Sequence, residues 1–166
     1  MSTMRELFTK PVLIFGCGNT LIGDDGFGPA VIDHLLDNFK LPSHVAALDV
    51  GTSIREILFD LVLMSERPKF IYIVDSVFDS PHGPGEIFEI DVAHIPAIKV
   101  NDFSLHQFPS VNLLRELQDG AGVTVRVLAV QVGKVPEEVG PGLSGPVEAA
   151  VPRACEWLLR EVEEKP

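Results

Sequence analysis

The sequence predicts an α/β fold: a three-layer α/β/α sandwich on a five-stranded, mostly parallel sheet with one antiparallel edge strand. Three observations predict it. Short apolar runs rich in β-branched residues, at 12–15, 70–74 and 123–132, alternate with segments whose apolar residues recur at helical spacing. A glycine-rich stretch, 16–28, joins the first of these runs to the first helical segment, the arrangement of a strand, a tight loop and a helix. The 166 residues are 46% hydrophobic, enough for one domain, 1–166, with a substantial core, and no repeat or linker divides them.

In chain order, residues 11–16 form the first strand and 27–40 the first helix, with Val31, Ile32, Leu35, Leu36 and Phe39 as its apolar stripe. Leu41-Pro42-Ser43 ends that helix, and 45–49 is the second strand. Gly51-Thr52-Ser53 turns into a second helix, with Ser53 as its cap and Ile54, Ile57, Leu58, Leu61 and Val62 turned inward. The unbroken apolar run 70–74 reads as a central parallel strand that ends at Asp75 and Ser76. A proline- and glycine-rich turn at 81–85 leads to a short strand, 86–90, and so brief a link makes that strand an antiparallel edge.

Residues 91–102 are irregular, and a helix covers 110–118, with Ser104 and Gln107 resembling a capping box ahead of it. The fifth strand spans 123–132. The last helix, 144–163, buries Val147, Ala150, Val151, Ala154, Trp157 and Leu158, bends at Pro152 and ends in a solvated acidic tail at Glu161, Glu163 and Glu164. Right-handed crossovers and short connections give the strand order 2-1-3-5-4, with the winding reversing between strands 1 and 3.

A formal net charge of −11 argues against nucleic acid or an anionic membrane as the partner, and no apolar run approaches membrane-spanning length. Residues 1–10 are polar and the apolar run 12–15 is far too short for a signal-peptide core. Cys17 and Cys155 form no C-x-x-C pair, so the cytoplasm is the expected compartment, and the chain is expected to act as a monomer. Both thiols read as packing residues.

The glycine-rich stretch carries the chemistry. A dinucleotide fingerprint beginning at Gly16 and Gly18 would need its third glycine at position 21, which is Leu21, and no Gly-Lys-Ser/Thr of a P-loop follows. Instead two adjacent carboxylates, Asp24 and Asp25, stand just before the helix, where they either cap it or face a site at the carboxyl end of the strand. The reversal of winding brings Asp75 towards them. Two such carboxylates could share a proton as an acid–base dyad or bind a cation.

Among the five histidines, His34 and His44 read as surface residues and His82 and His94 as turn or loop residues. His106 lies ahead of a helix in a segment that can return over the crevice. Two carboxylates and an imidazole with open positions suit a borderline divalent metal such as nickel or zinc, with Asp49 supporting them from outside the ligand set. There is no His-Glu-x-x-His helix and no Ser-His-Asp set.

Six segments then resemble one family in order and spacing: Gly16-Cys17-Gly18-Asn19, Gly23-Asp24-Asp25-Gly26, Leu48-Asp49-Val50-Gly51-Thr52, Ile73-Val74-Asp75-Ser76, Ser104-Leu105-His106-Gln107 and residues 143–152. The family is the hydrogenase maturation endopeptidases, and the resemblance spans nearly the whole chain. It implies a peptidase that removes the C-terminal extension of the nickel–iron hydrogenase large-subunit precursor after nickel insertion. It also implies that Asp25, Asp75 and His106 are both metal-gripping and catalytic, and that the nickel comes with the substrate. Two other readings are a metal-independent carboxylate peptidase using Asp25 and Asp75, and a non-cleaving flavodoxin-like chaperone or binding module for the same precursor.

Overall fold

The computed structural model describes residues 3–78, 80–92, 111–133 and 138–164. In chain order these form α1 (Met4–Phe8), β1 (Val12–Cys17), a 3-10 turn (Gly23–Gly26), α2 (Phe27–Asn38), β2 (Val45–Gly51) and α3 (Ile54–Leu63). They continue with β3 (Phe70–Val77), β4 (Ile87–Ile90), α4 (Val111–Arg115) running into a π turn (Glu116–Gly120), β5 (Thr124–Gln131) and α5 (Gly145–Glu163). The sheet order is β2-β1-β3-β5-β4, with β4 antiparallel to β5 and the other pairs parallel, as the sequence predicts.

Alternation along each strand divides the core between the two faces of this sheet. On one face Leu13, Phe15, Ile71, Ile73, Val125 and Val127 meet Ile54, Leu58 and Leu61 of α3, together with Leu114 and Leu117. On the other, Val12, Ile14, Tyr72, Val74, Leu128 and Val130 meet α2 and α5. The central strands are buried on both sides, which is why their sequences are continuous apolar runs instead of alternating ones.

Several expectations are corrected. β3 runs one residue past its expected end at Asp75 and Ser76, to Val77, because β5 continues beside it to the pair Val77↔Gln131. Leu36 and Phe39 of the first stripe are exposed, leaving Val31, Ile32 and Leu35 to pack. Ser53 stands at the N-cap of α3 but makes no capping bond with its side chain.

Glu161 is not a solvated tail residue, since it pairs with Arg126 of β5 on the flank of the sheet. Helix α1 goes beyond the sequence expectations: Thr3 and Glu6 form a capping box, and Phe8 sets its ring edge-on to Phe15 at 6.1 Å. The Ser104–Gln107 motif, His94 and His106 lie outside the described residues.

Two glycines fix how the first strand meets the first helix. A Cβ on Gly28 would lie 2.3 Å from the carbonyl oxygen of Cys17 and 2.6 Å from that of Val74, so the start of α2 rests directly on the backbone of β1 and β3. Gly18 has φ +140, and a Cβ there would lie 1.8 Å from the carbonyl oxygen of Asp25. The loop can therefore fold flat against the carboxyl end of β1.

Candidate active site

The last pair joining β1 to β3 is Gly16↔Val74, and Cys17 then shifts register to face Gly51 of β2. β3 outruns β1 at this point. Its next two residues, Asp75 and Ser76, stand at the crevice between the strands where the winding reverses, and the glycine-rich loop folds over them.

Asp25 is fully buried in the 3-10 turn. Its Oδ2 accepts the Asn19 N–H at 2.8 Å, and its Oδ1 accepts the Ser76 hydroxyl at 3.1 Å. Asp75 is also fully buried, and its Oδ1 accepts the Ser76 N–H at 2.8 Å. One residue, Ser76, thus holds both acids that the sequence singled out. Buried carboxylates need such donors, because the desolvation of an ionised group is otherwise uncompensated. The sequence reading gave Ser76 no role of its own; its signals were its place beside Asp75 and its membership of the segment 73–76 that carries the resemblance.

Asp24 behaves differently from its neighbour and from the expected helix cap. The residue at the N-cap of α2 is Gly26, without a side-chain bond. Asp24, only 4% exposed, turns to the other end of the chain, where Oδ1 accepts the Ser144 N–H at 2.6 Å. Its Oδ2 accepts the Ser144 hydroxyl at 2.8 Å and the Gly133 N–H at 3.2 Å. Ser144 is the N-cap of α5, so Asp24 serves a helix 120 residues away.

Asp49 is exposed at the end of β2, where its Oδ1 accepts the Gly51 N–H at 2.9 Å. It lines a polar cleft of about 240 Å³ that opens between residues 18–20 and Gly51 and Thr52. Burial and then the negative charges of Asp75, Asp49 and Asp25 push the Cys17 thiol well above its usual value. A thiol held neutral in this way is no nucleophile, which leaves Cys17 its packing role. Burial likewise pushes the Cys155 thiol up to about 11, and it faces the Val31 carbonyl from α5.

Among the described residues no three His, Cys, Asp or Glu side chains gather as a ready-made metal cage. The described part of the site is a pair of buried carboxylates, Asp25 and Asp75, joined through Ser76. His106, the third residue of the expected set, falls in the part of the chain outside the described residues.

Comparisons with known proteins bear on what this arrangement does. A family model described as hydrogenase maturation protease matches residues 29–161. A protein of Methanocaldococcus jannaschii, provisionally named as a hydrogenase maturation protease, is 40% identical, covering 93% of this chain and 97% of its own. The structure of the hydrogenase maturating endopeptidase of Escherichia coli superposes with a TM-score of 0.71 at 28% identity, covering 92% of each chain. A [NiFe] hydrogenase maturation protease from Thermococcus kodakarensis superposes with a TM-score of 0.67 at 25% identity, covering 90% of this chain and 97% of the other.

Proposed function

The chain belongs to the hydrogenase maturation protease family and is therefore an enzyme, and we propose that it removes the C-terminal extension of a nickel–iron hydrogenase large-subunit precursor. In this reading the enzyme recognises nickel already seated in the precursor, so the ion is part of the substrate. Asp25, Asp75 and His106 grip it. The observation that carries the reading is the carboxylate pair itself: two fully buried acids, drawn together by Ser76 at the open end of the sheet.

Hydrolysis of the scissile amide adds hydroxide to the carbonyl carbon and returns a proton to the leaving nitrogen. Each carboxylate has two oxygens, so one that grips a cation through one oxygen keeps the other to take the proton from water. His106, as a neutral imidazole, completes the grip. The two free, buried cysteines support a reducing, cytoplasmic setting. Among the described residues no helix is long and apolar enough to cross a membrane.

The test is incubation with nickel-loaded and nickel-free precursor, read as a size shift on a gel. Cleavage of the loaded form alone is expected, with Asp25→Asn and Asp75→Asn inactive and His106→Gln weakened in both precursor association and cleavage. Equal cleavage of both forms would remove nickel from the recognition step. A folded protein that binds the loaded form without cutting it would make the chain a chaperone of the precursor instead.

A further inference from the structure

The two adjacent acids of the glycine-rich loop point to opposite partners, and the second of these attachments has a role the proposed reaction does not yet use. In a 3-10 turn consecutive side chains are separated by about 120° around the axis. Asp25 therefore reaches β3, through Ser76, while Asp24 reaches Gly133 and Ser144. Those two residues are the ends of one excursion of the chain, where it leaves β5 and where it enters α5. Both N–H groups at that neck donate to the one Asp24 carboxylate.

The same excursion is tied again further along. Gly23 N–H donates to Gly140 O at 2.9 Å, Gly140 N–H donates to Leu21 O at 2.7 Å, and Ile22 bridges Gly140 in parallel. The turn that carries Asp25 is thus held on one side by β3 and on the other by Gly133, Gly140 and Ser144. Of the ties on that second side, the Asp24 carboxylate is the one made by a side chain of the turn itself; without it only the backbone bonds to Gly140 oppose rotation of the turn and of Asp25 with it.

We propose that Asp24 is a positioning residue for the cleavage reaction: its carboxylate, closing the neck between Gly133 and Ser144, sets the rotation of the 3-10 turn and so the placement of Asp25. This rests on the proposed peptidase activity. Positioning acts on the reacting geometry more than on precursor capture, so its signature is a lost rate at unchanged affinity.

The experiment compares wild type, Asp24→Ala, Asp24→Asn, Ser144→Ala and Ser144→Thr for single-turnover cleavage of nickel-loaded precursor, for precursor affinity and for denaturant midpoint. Arg126→Met, remote from the site, serves as a destabilised control. Asp24→Ala and Asp24→Asn should each lose tenfold or more in single-turnover rate, roughly the effect of a misplaced reacting group, with affinity within about threefold of wild type. Ser144→Ala should lose less, and Ser144→Thr, which keeps the hydroxyl, should recover most of that loss. Arg126→Met should keep its rate below its own midpoint.

If the Asp24 variants do not fold, the Ser144 pair carries the test, and equal rates for Ser144→Ala, Ser144→Thr and wild type would overturn the proposal. So would a folded Asp24→Ala that cleaves at the wild-type rate, or rates that track stability across all the variants, Arg126→Met included. Failure of the wild type itself to cleave any precursor would instead overturn the functional reading, and the positioning role with it.

Discussion

The Ser76 hydroxyl donates to Asp25 Oδ1 over 3.1 Å, joining a strand in the middle of the sheet to the turn before the first long helix. Both residues are almost completely buried. Ser76→Ala removes this donor while its backbone N–H still serves Asp75. It should cost about 1–3 kcal/mol, as expected when a buried acceptor loses a partner. Cleavage should slow as well, because Asp25 is then held from one side less. Denaturant melts and single-turnover assays check the two effects, and an unchanged melt would mean that water replaces the hydroxyl.

Gly28→Ala should be far more damaging than its size suggests. The atoms its Cβ would meet, at 2.3 to 2.6 Å, are all backbone, in Cys17 and Val74, and none can swing aside. A loss of about 3 kcal/mol, at the upper end for overpacking, is expected. Gly145→Ala, at the start of α5 with open space around it, should be neutral or slightly stabilising. Thermal melts of the two variants side by side decide the matter.

Arg126 is the hub of the opposite flank. It makes a two-pronged ion pair with Glu89 at 2.6 and 2.8 Å, pairs with Glu161, and lies over the Trp157 ring at 5.0 Å and the Tyr72 ring at 5.8 Å. Arg126→Met keeps much of the stem but none of the charge. It should cost about 2 kcal/mol, the scale of a charge-assisted bond plus a cation–π contact on a half-buried flank. Urea denaturation measures this directly.

Asp33, on the outer face of α2, gives a prediction with a pH sign. Partial burial, then the charges of Asp49 and Asp37, raise its carboxyl above the usual 3.8. A raised acid favours the folded state only while protonated, so its contribution is complete below 3.8 and lost as pH rises through the raised folded value. Asp33→Asn should therefore be slightly more stable than wild type at neutral pH, by roughly a few tenths of a kcal/mol after solvent screening. The gap should close below pH 3.8, where both side chains are uncharged in both states. A gap that widened on acidification would overturn the assignment.

The layering and the strand order were legible in the sequence because they follow from periodicity and from connection lengths, both local properties. The short, proline-rich link before β4 was enough to place that strand antiparallel at the edge. The ends of elements were less legible, since an end depends on a neighbour. The apolar run 70–74 stops short of the end of β3, and the last pair, Val77↔Gln131, rests on the partner strand.

Residue roles failed for the same reason. Asp24 looked like a cap for the next helix and instead serves one at the far end of the chain. Glu161 looked like part of a charged tail until Arg126 arrived from β5. Asp25 and Asp75 could be paired from topology, whereas Ser76, which links them, shows no pattern of its own. In α1, by contrast, the Thr3-x-x-Glu6 spacing was present to be read.

The direct seating of α2 on β1 and β3 has a thermodynamic corollary. Asp75 lies inside a strand, and the turn bearing Asp25 leads into a helix whose first residues have no slack against the sheet. The conformational freedom of these acids is thus surrendered when the chain folds, not when a partner arrives. In the proposed reaction these two acids then add little to the entropy the encounter loses, and the partner's own tail adds to it. Under the proposed function, a precursor with a shortened or stiffened extension should associate more tightly, and the gain should appear in the entropy of binding.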